Sequence, residues 1–439
     1  MEKVNRKSPI TILYSLSIAT QGLSGIPKDS RRLGKILAKS ERLNVDFLLI
    51  PRHSNQFKVW QRRSVFTDAL TVSSITSNAQ FPSRLNLFAT GLKALISPRR
   101  RPLVESSFSH SLDFQNHFWP EIGLKLKTGN KYFLIPNLDL KSIYLRAKIR
   151  KPFIFRSEHD VYIQQHVDPL YAVKKSKHII RLHDILPITH PQFFSPGSIA
   201  TYSIGIRALL KNSSITWVLD SIHQKNQFAE IFGAEHKIEV IGCAIPDEEF
   251  EVNKIKKKRQ FLVVNTLEPR KQTQKVIESF LEARNMGFIP KDFKLVVVGN
   301  RGWMQDGLFE KLSKNEFGPT VIHQPYVTNH ELKNLYKSSK FLISASLAEG
   351  FGLPPIEGAL NGCIPIVSDI PSHRENLGEF AIYFDPLAST FTSIFCDLLR
   401  HEPKYRATLP ALRKKLNEKF SERVIANEWE ELIETVVQS

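Results

Sequence analysis

Two carboxylates eight positions apart, Glu349 and Glu357, flank the turn Gly350-Phe351-Gly352-Leu353-Pro354-Pro355. The apolar run Phe341–Ala345 before them reads as a buried strand. Two prolines after a glycine suit the first turn of a helix, where the N–H groups have no partner anyway. Free N–H groups and the helix dipole make such a mouth an anion site. With an acid on either side, it suits a ligand carrying both phosphate and hydroxyls, such as a sugar nucleotide. Arg270-Lys271, in Leu267-Glu268-Pro269-Arg270-Lys271, offers a planar fork and a point charge for a diphosphate. In a transferase they would stabilise charge growing on the leaving group. Gly299-Asn300-Arg301-Gly302 ends another strand, where its glycines would admit a ligand close to the backbone. His183-Asp184 closes the strand Ile179–Leu182, so His183 faces a cleft as a hydroxyl contact or proton carrier.

These residues need a scaffold of strands whose carboxyl ends converge. From residue 261 onward, continuous apolar runs alternate with helical stripes, which predicts a parallel sheet covered on both faces. The N-terminal half repeats the grammar less regularly, with strands at 11–17, 45–50, 132–135, 161–165, 179–182, 216–219 and 239–241 and a helix at 28–38. The apolar run at Ile10–Ile18 is short, broken by Thr and Ser, and followed by Gly22 and Gly25. It reads as a first strand entering a Gly loop, not as a signal peptide. Residues 52–110 carry no usable pattern. The expected division is an N-terminal α/β domain over 1–245, a linker, a second α/β domain over 259–405 and a helical tail over 406–439. Ligands of open α/β sheets lie beyond the strands' carboxyl ends, here in a cleft between the halves.

The chain has 439 residues and a net charge of +18. Residues 1–250 hold 35 Lys and Arg against 20 Asp and Glu, while the remainder holds 26 against 23. The basic half suggests an anionic partner, such as an acidic membrane surface. Three cysteines without metal or disulfide spacing fit a reducing cytoplasm. No apolar run reaches the length of a membrane span. Asp-x-Asp, the phosphate-binding Gly-x-x-x-x-Gly-Lys-Ser/Thr loop and the Gly-x-Ser-x-Gly elbow do not occur, and no nucleic-acid module is recognisable.

The order and spacing of these segments resemble the family-4 retaining glycosyltransferases, with their E-x7-E motif and GT-B fold. The likeness covers about 261–435, and includes Tyr326-Val327-Thr328, Asn361–Val367 and Phe384-Asp385-Pro386. In the first half it rests on Gly22–Gly25 and His183–Pro187. The resemblance implies two Rossmann-like domains facing across a cleft, with a C-terminal helix crossing back to the first. It implies that Glu349 contacts the donor sugar and that the backbone of Gly350, Phe351, Gly352 and Leu353 holds sugar and phosphate. Glu357 would hold the ribose, His183 would reach the sugar, and Arg270 and Lys271 would neutralise the diphosphate in place of a metal. Gly22, Gly25, Gly299 and Arg301 would complete the donor site. The chain departs from the pattern at Gly358, where Ala is common, and at Arg374-Glu375-Asn376.

The expected activity is transfer of a hexose, mannose favoured, from a nucleotide sugar (GDP-mannose favoured) to a glycan or lipid-linked acceptor in bacterial surface polysaccharide or O-antigen synthesis. No metal, cofactor or nucleic acid is expected. The expected setting is the cytoplasm, at the inner face of the plasma membrane. The alternative is a catalytically silent nucleotide-sugar-binding or scaffold protein of the same fold.

Overall fold

The computed structural model describes residues 8–17, 25–50, 99–105, 130–135, 140–149, 151–174, 176–245, 256–302, 304–396 and 398–439. Gly22, Trp303 and most of 52–110 lie outside the described residues.

In the N-terminal half the elements are β1 (Ile10–Ser15), α1 (Gly25–Lys39), β2 (Leu43–Leu49), β3 (Arg100–Arg101), β4 (Val104–Glu105), β5 (Tyr132–Leu134), α2 (Leu140–Ile149), β6 (Phe153–Ser157), β7 (Val161–Gln164), β8 (Leu170–Lys174), β9 (Lys177–Leu182), α3 (Leu186–Thr189), α4 (Pro196–Leu209), β10 (Thr216–Leu219), α5 (Ile222–Phe232) and β11 (Lys237–Val240). The sheet runs β11-β10-β9-β7-β1-β2-β5-β4, parallel except for the β4–β5 edge. Central β1 is buried along Ile12, Leu13 and Tyr14, as both-face coverage requires. A second, three-stranded sheet, β3-β6-β8, was not expected. Its strands are short, and β6 follows α2 after three residues, so periodicity gives little warning of it.

The second half contains β12 (Lys258–Val264), α6 (Thr273–Asn285), β13 (Lys294–Val298), α7 (Asp306–Ser313), β14 (Val321–Gln324), α8 (Asn329–Ser338), β15 (Ser339–Ser344), α9 (Leu353–Leu360), β16 (Ile364–Ser368), α10 (Pro371–Leu377), β17 (Ile382–Phe384), α11 (Leu398–Phe420) and α12 (Glu422–Gln438). All six strands are parallel, in the order β14-β13-β12-β15-β16-β17. The start of α8 is fixed by a capping box between Thr328 and Glu331. Gly358 sits on the face of α9 toward β15, where an added Cβ would lie 3.1 Å from Leu342. The smaller residue lets the helix approach the sheet closely.

The expected boundary at 405/406 falls inside α11; the helices break at Ser421, whose side chain caps α12. Helix α12 returns to the first domain. Its Trp429 is buried beneath the Arg181 guanidinium, 5.9 Å from the ring centroid, and Arg42 pairs with Glu430 and Glu434. Ile245, at the end of the first domain, bridges to Ser421 between the two last helices.

Candidate functional site

The cleft centres on Glu349. Strand β15 ends at Ser344, and the chain then crosses to α9, whose N-cap Gly352 has a φ of 84°. Only glycine enters that region without cost. Glu349 Oε2 accepts from Arg270 Nη1 at 2.9 Å, Oε1 pairs with Lys271 Nζ, and the Ser346 hydroxyl donates to Oε1 at 2.5 Å. Arg270 also donates to the Ala348 carbonyl at 2.6 Å, which locks its fork in place. Burial pushes the Glu349 carboxyl up, but Lys271 and Arg270 outweigh it and hold the group ionised, far below the usual range. Two cations and one carboxylate thus stand preorganised at a helix mouth, 78 and 79 positions apart in the chain.

The opposite wall is the His183–Asp184 turn. A Cβ on Gly350 would collide with the His183 carbonyl, so the two domains meet at main-chain distance. Gln224 Nε2 donates to that same carbonyl at 2.8 Å. The imidazole has other work: Nδ1 lies 2.9 Å from Asp220 Oδ2, and Nε2 3.2 Å from Gln165 Oε1. His183 is therefore braced by its own domain on both ring nitrogens. Asp220 also takes Arg181 Nε at 3.0 Å, and Asp29 pairs with Arg181 Nη1 at 3.1 Å. Burial disfavours the Asp220 anion, yet Arg181 and His183 keep its carboxyl below the ordinary value.

Asp29, His183 and Cys243 bring ligand-type atoms within 4.8 Å of one another. The fully buried Arg181 guanidinium already supplies the positive charge there, 3.1 Å from Asp29 and 3.5 Å from Cys243 Sγ. A metal ion would face that charge at contact distance, so the residues do not fit one.

Glu357 joins the domains. Its Oε1 accepts from Lys28 Nζ of α1 at 3.1 Å and its Oε2 from the Tyr336 hydroxyl at 3.0 Å. Gly25 opens α1, three residues before Lys28. Leu353 is the first residue of α9, and Phe351 is core: it packs edge-on against Phe420, ring centroids 5.0 Å apart, and its carbonyl accepts from Asn376 at 2.7 Å.

Gly299 and Gly302 have a packing role within their own domain. An added Cβ on either would strike the carbonyls of Asn265 and Leu267, so these glycines let two loops of the same domain pack together. Arg301 is half exposed and bonds Asp306 at 2.5 Å; the structure does not bring it to Glu349.

Three participants escaped the sequence reading. His373 is buried against Gly352; its Nδ1 donates to the Ser368 carbonyl at 2.9 Å, and its Nε2 has no hydrogen-bond partner among the described residues. Burial lowers its pKa, so the ring is neutral. Glu375 accepts from the Ile222 and His223 N–H groups at 2.9 and 3.1 Å, a C-terminal-domain carboxylate capping an N-terminal-domain helix. Lys28 is the third. The departure from the family pattern at Arg374-Glu375-Asn376 was the available signal for Glu375.

Residues 245–393 match the family model for group 1 glycosyl transferases. A serotype-specific mannosyltransferase of Escherichia coli is 29% identical over 224 residues, covering 46% of this chain and 27% of that protein. An O-antigen chain mannosyltransferase of Salmonella typhimurium is 31% identical over 211 residues, covering 47% of this chain and 56% of that protein. The chain thus spans about a quarter to a half of the length of these relatives. Among solved structures, sucrose-phosphate synthase of Thermosynechococcus elongatus superposes with a TM-score of 0.62 at 13% identity, covering 98% of this chain and 99% of that one. An Anabaena protein solved with UDP and glucose superposes at 0.56 and 13% identity, covering 97% and 100%. The second domain thus matches the group 1 glycosyl transferase family model, and the two α/β domains with the returning helix have the GT-B fold of the solved structures they superpose on.

Proposed function

We propose that the protein is a metal-independent retaining glycosyltransferase that moves a hexose, mannose favoured, from a nucleotide sugar to a glycan or lipid-linked acceptor. GDP-mannose is the favoured donor, and bacterial surface polysaccharide or O-antigen synthesis is the setting. The observation that carries the reading is the convergence of Arg270 and Lys271 on Glu349 at the mouth of α9, opposite His183. The mannosyltransferase relatives support the sugar and the setting.

In this reading the donor diphosphate takes over Arg270 and Lys271, and Glu349 turns its freed oxygens to sugar hydroxyls. The two cations exchange one anionic partner for another, and the sugar hydroxyls replace them as hydrogen-bond donors to the buried carboxylate. The same two cations neutralise charge accumulating on the departing diphosphate, which is the task a divalent metal otherwise performs. Glu357 receives the ribose hydroxyls. Asp220 and Gln165 set the orientation of His183 toward the sugar.

The test is nucleotide release from a panel of nucleotide sugars, with and without Glu349→Ala. Release with GDP-mannose, abolished in the variant, supports the reading; no release and no donor binding for any sugar would sink it. Turnover that survives EDTA supports metal independence, and its loss in EDTA overturns it. The anomeric configuration of the product, read by NMR, decides between retention and inversion.

A further inference from the structure

The outer flank of the N-terminal domain holds a cavity of about 760 Å³. It lies between the C-terminal ends of α2 and α4 and the three-stranded sheet. Among the described residues, none of the C-terminal domain and none of the cleft lines it. Among the described residues its wall carries five cations, Arg99, Lys148, Lys151, Arg207 and Lys211, and no carboxylate. All five are exposed, and none has an acidic partner among the described residues. Between them the surface is apolar, formed by Pro152, Ile154, Val173, Ile204 and the alanines beside them.

Five like charges around one concavity repel one another, and a solvated basic face would spread them over a convex surface. Gathered here, they create a positive potential that a multivalent anion relieves. The interleaved aliphatic side chains add a requirement that a bare inorganic anion does not meet. The size falls in the range of small-molecule sites. The whole N-terminal half shares the sign, with 35 basic against 20 acidic side chains up to residue 250.

From this we infer that the cavity is a docking site for the phosphate headgroup of an anionic membrane phospholipid, with the cations on the phosphate and the aliphatic wall against the glycerol and upper acyl region. No helix among the described residues is long and apolar enough to cross a membrane, so such docking would hold the protein at the surface by charge and shallow apolar contact. The inference is independent of the proposed glycosyl transfer.

The test is co-sedimentation of the full chain with phosphatidylglycerol-containing vesicles and with neutral phosphatidylcholine vesicles at physiological salt. There exposed charges are screened beyond about 8 Å. Each basic side chain near an anionic surface is worth about a fivefold change in partition. The triple variant Lys148→Glu, Lys151→Glu, Arg207→Glu should therefore lose binding to the anionic vesicles by roughly a hundredfold or more. A control variant with the same charge change on the other domain, Lys291→Glu, Lys311→Glu, Lys314→Glu, should lose less than tenfold. Ile204→Asp should weaken vesicle binding without altering the fold, checked by circular dichroism. Equal losses in the two triple variants would overturn the site, as would equal binding to neutral vesicles. Calorimetric binding of inorganic diphosphate in the cavity without any vesicle partition would overturn the lipid assignment.

Discussion

Lys28 of the first domain and Glu357 of the second meet across the cleft, Nζ to Oε1, at 3.1 Å. Both side chains are largely buried, and Tyr336 completes the carboxylate's shell at 3.0 Å. Desolvation pushes the Glu357 carboxyl up, but Lys28, Arg32 and Tyr336 hold it below its ordinary range. A ribose hydroxyl pair reaching Glu357 must therefore displace or share Lys28. Replacing Lys28 by Met removes this competitor, worth about 1 kcal/mol for a partly buried pair. GDP is then expected to bind roughly fivefold more tightly by calorimetry, while Glu357→Gln weakens it. Weaker binding by Lys28→Met would show instead that Lys28 itself holds the donor.

Glu349→Gln keeps the shape of the side chain and removes its charge. Among the described residues Lys271 then loses its carboxylate partner and Arg270 keeps only Glu268, at 3.3 Å, which costs about 3 kcal/mol. The expected outcome is a lower denaturation midpoint together with loss of nucleotide release. Sulfate or GDP, by supplying the missing anion, should recover more stability in the variant than in the parent. A variant as stable as the parent without added anion would contradict the charge balance described here.

Glu375 closes the other side of the cleft by capping α5. Losing a cap of this kind costs about 1 kcal/mol, and here that contact spans two domains. Glu375→Ala should leave each domain folded but open the ligand-free molecule, seen as a larger radius of gyration in small-angle scattering. An unchanged radius would mean that the Lys28–Glu357 contact and the Gly350–His183 approach suffice to hold the domains.

His178 makes stability depend on pH. Its ring is buried between Tyr162 and Tyr171, neither nitrogen has a hydrogen-bond partner among the described residues, and burial drops its pKa to about 3 from 6.5. Below pH 6.5 the unfolded chain takes up a proton that the folded chain refuses. Stability from this group is therefore fully present above 6.5 and falls by about 1.4 kcal/mol per unit as the pH drops toward 3. His178→Phe keeps the aromatic packing and removes both the proton and the unpaired nitrogens. Denaturant titrations should show the variant about 2 kcal/mol more stable at pH 5 relative to pH 8 than the parent is. An equal pH dependence would contradict the assignment.

Much of this architecture was legible in local pattern. Phe261–Val264, Phe341–Ile343 and Thr216–Leu219 are continuous apolar runs, and all lie in strands because a parallel sheet buries both faces. The Gly352-Leu353-Pro354-Pro355 turn announces a helix start through backbone stereochemistry alone. The three-stranded sheet stayed hidden because strands of two to five residues barely express a period.

What the sequence determined by itself is the kind of chemistry at one helix mouth: which carboxylates, which cations and which glycine turn, all set by residues within ninety positions of one another. Tertiary structure decided how those groups are balanced. Lys28 meets Glu357 from 329 positions away, and Glu375 caps Ile222 from 153. His183, which by type and place could carry a proton, has its ring nitrogens engaged by Asp220 and Gln165. Local propensity acts between neighbours in the chain. A buried charge instead takes whichever partner the fold brings within about 3 Å, and no period or motif records that choice.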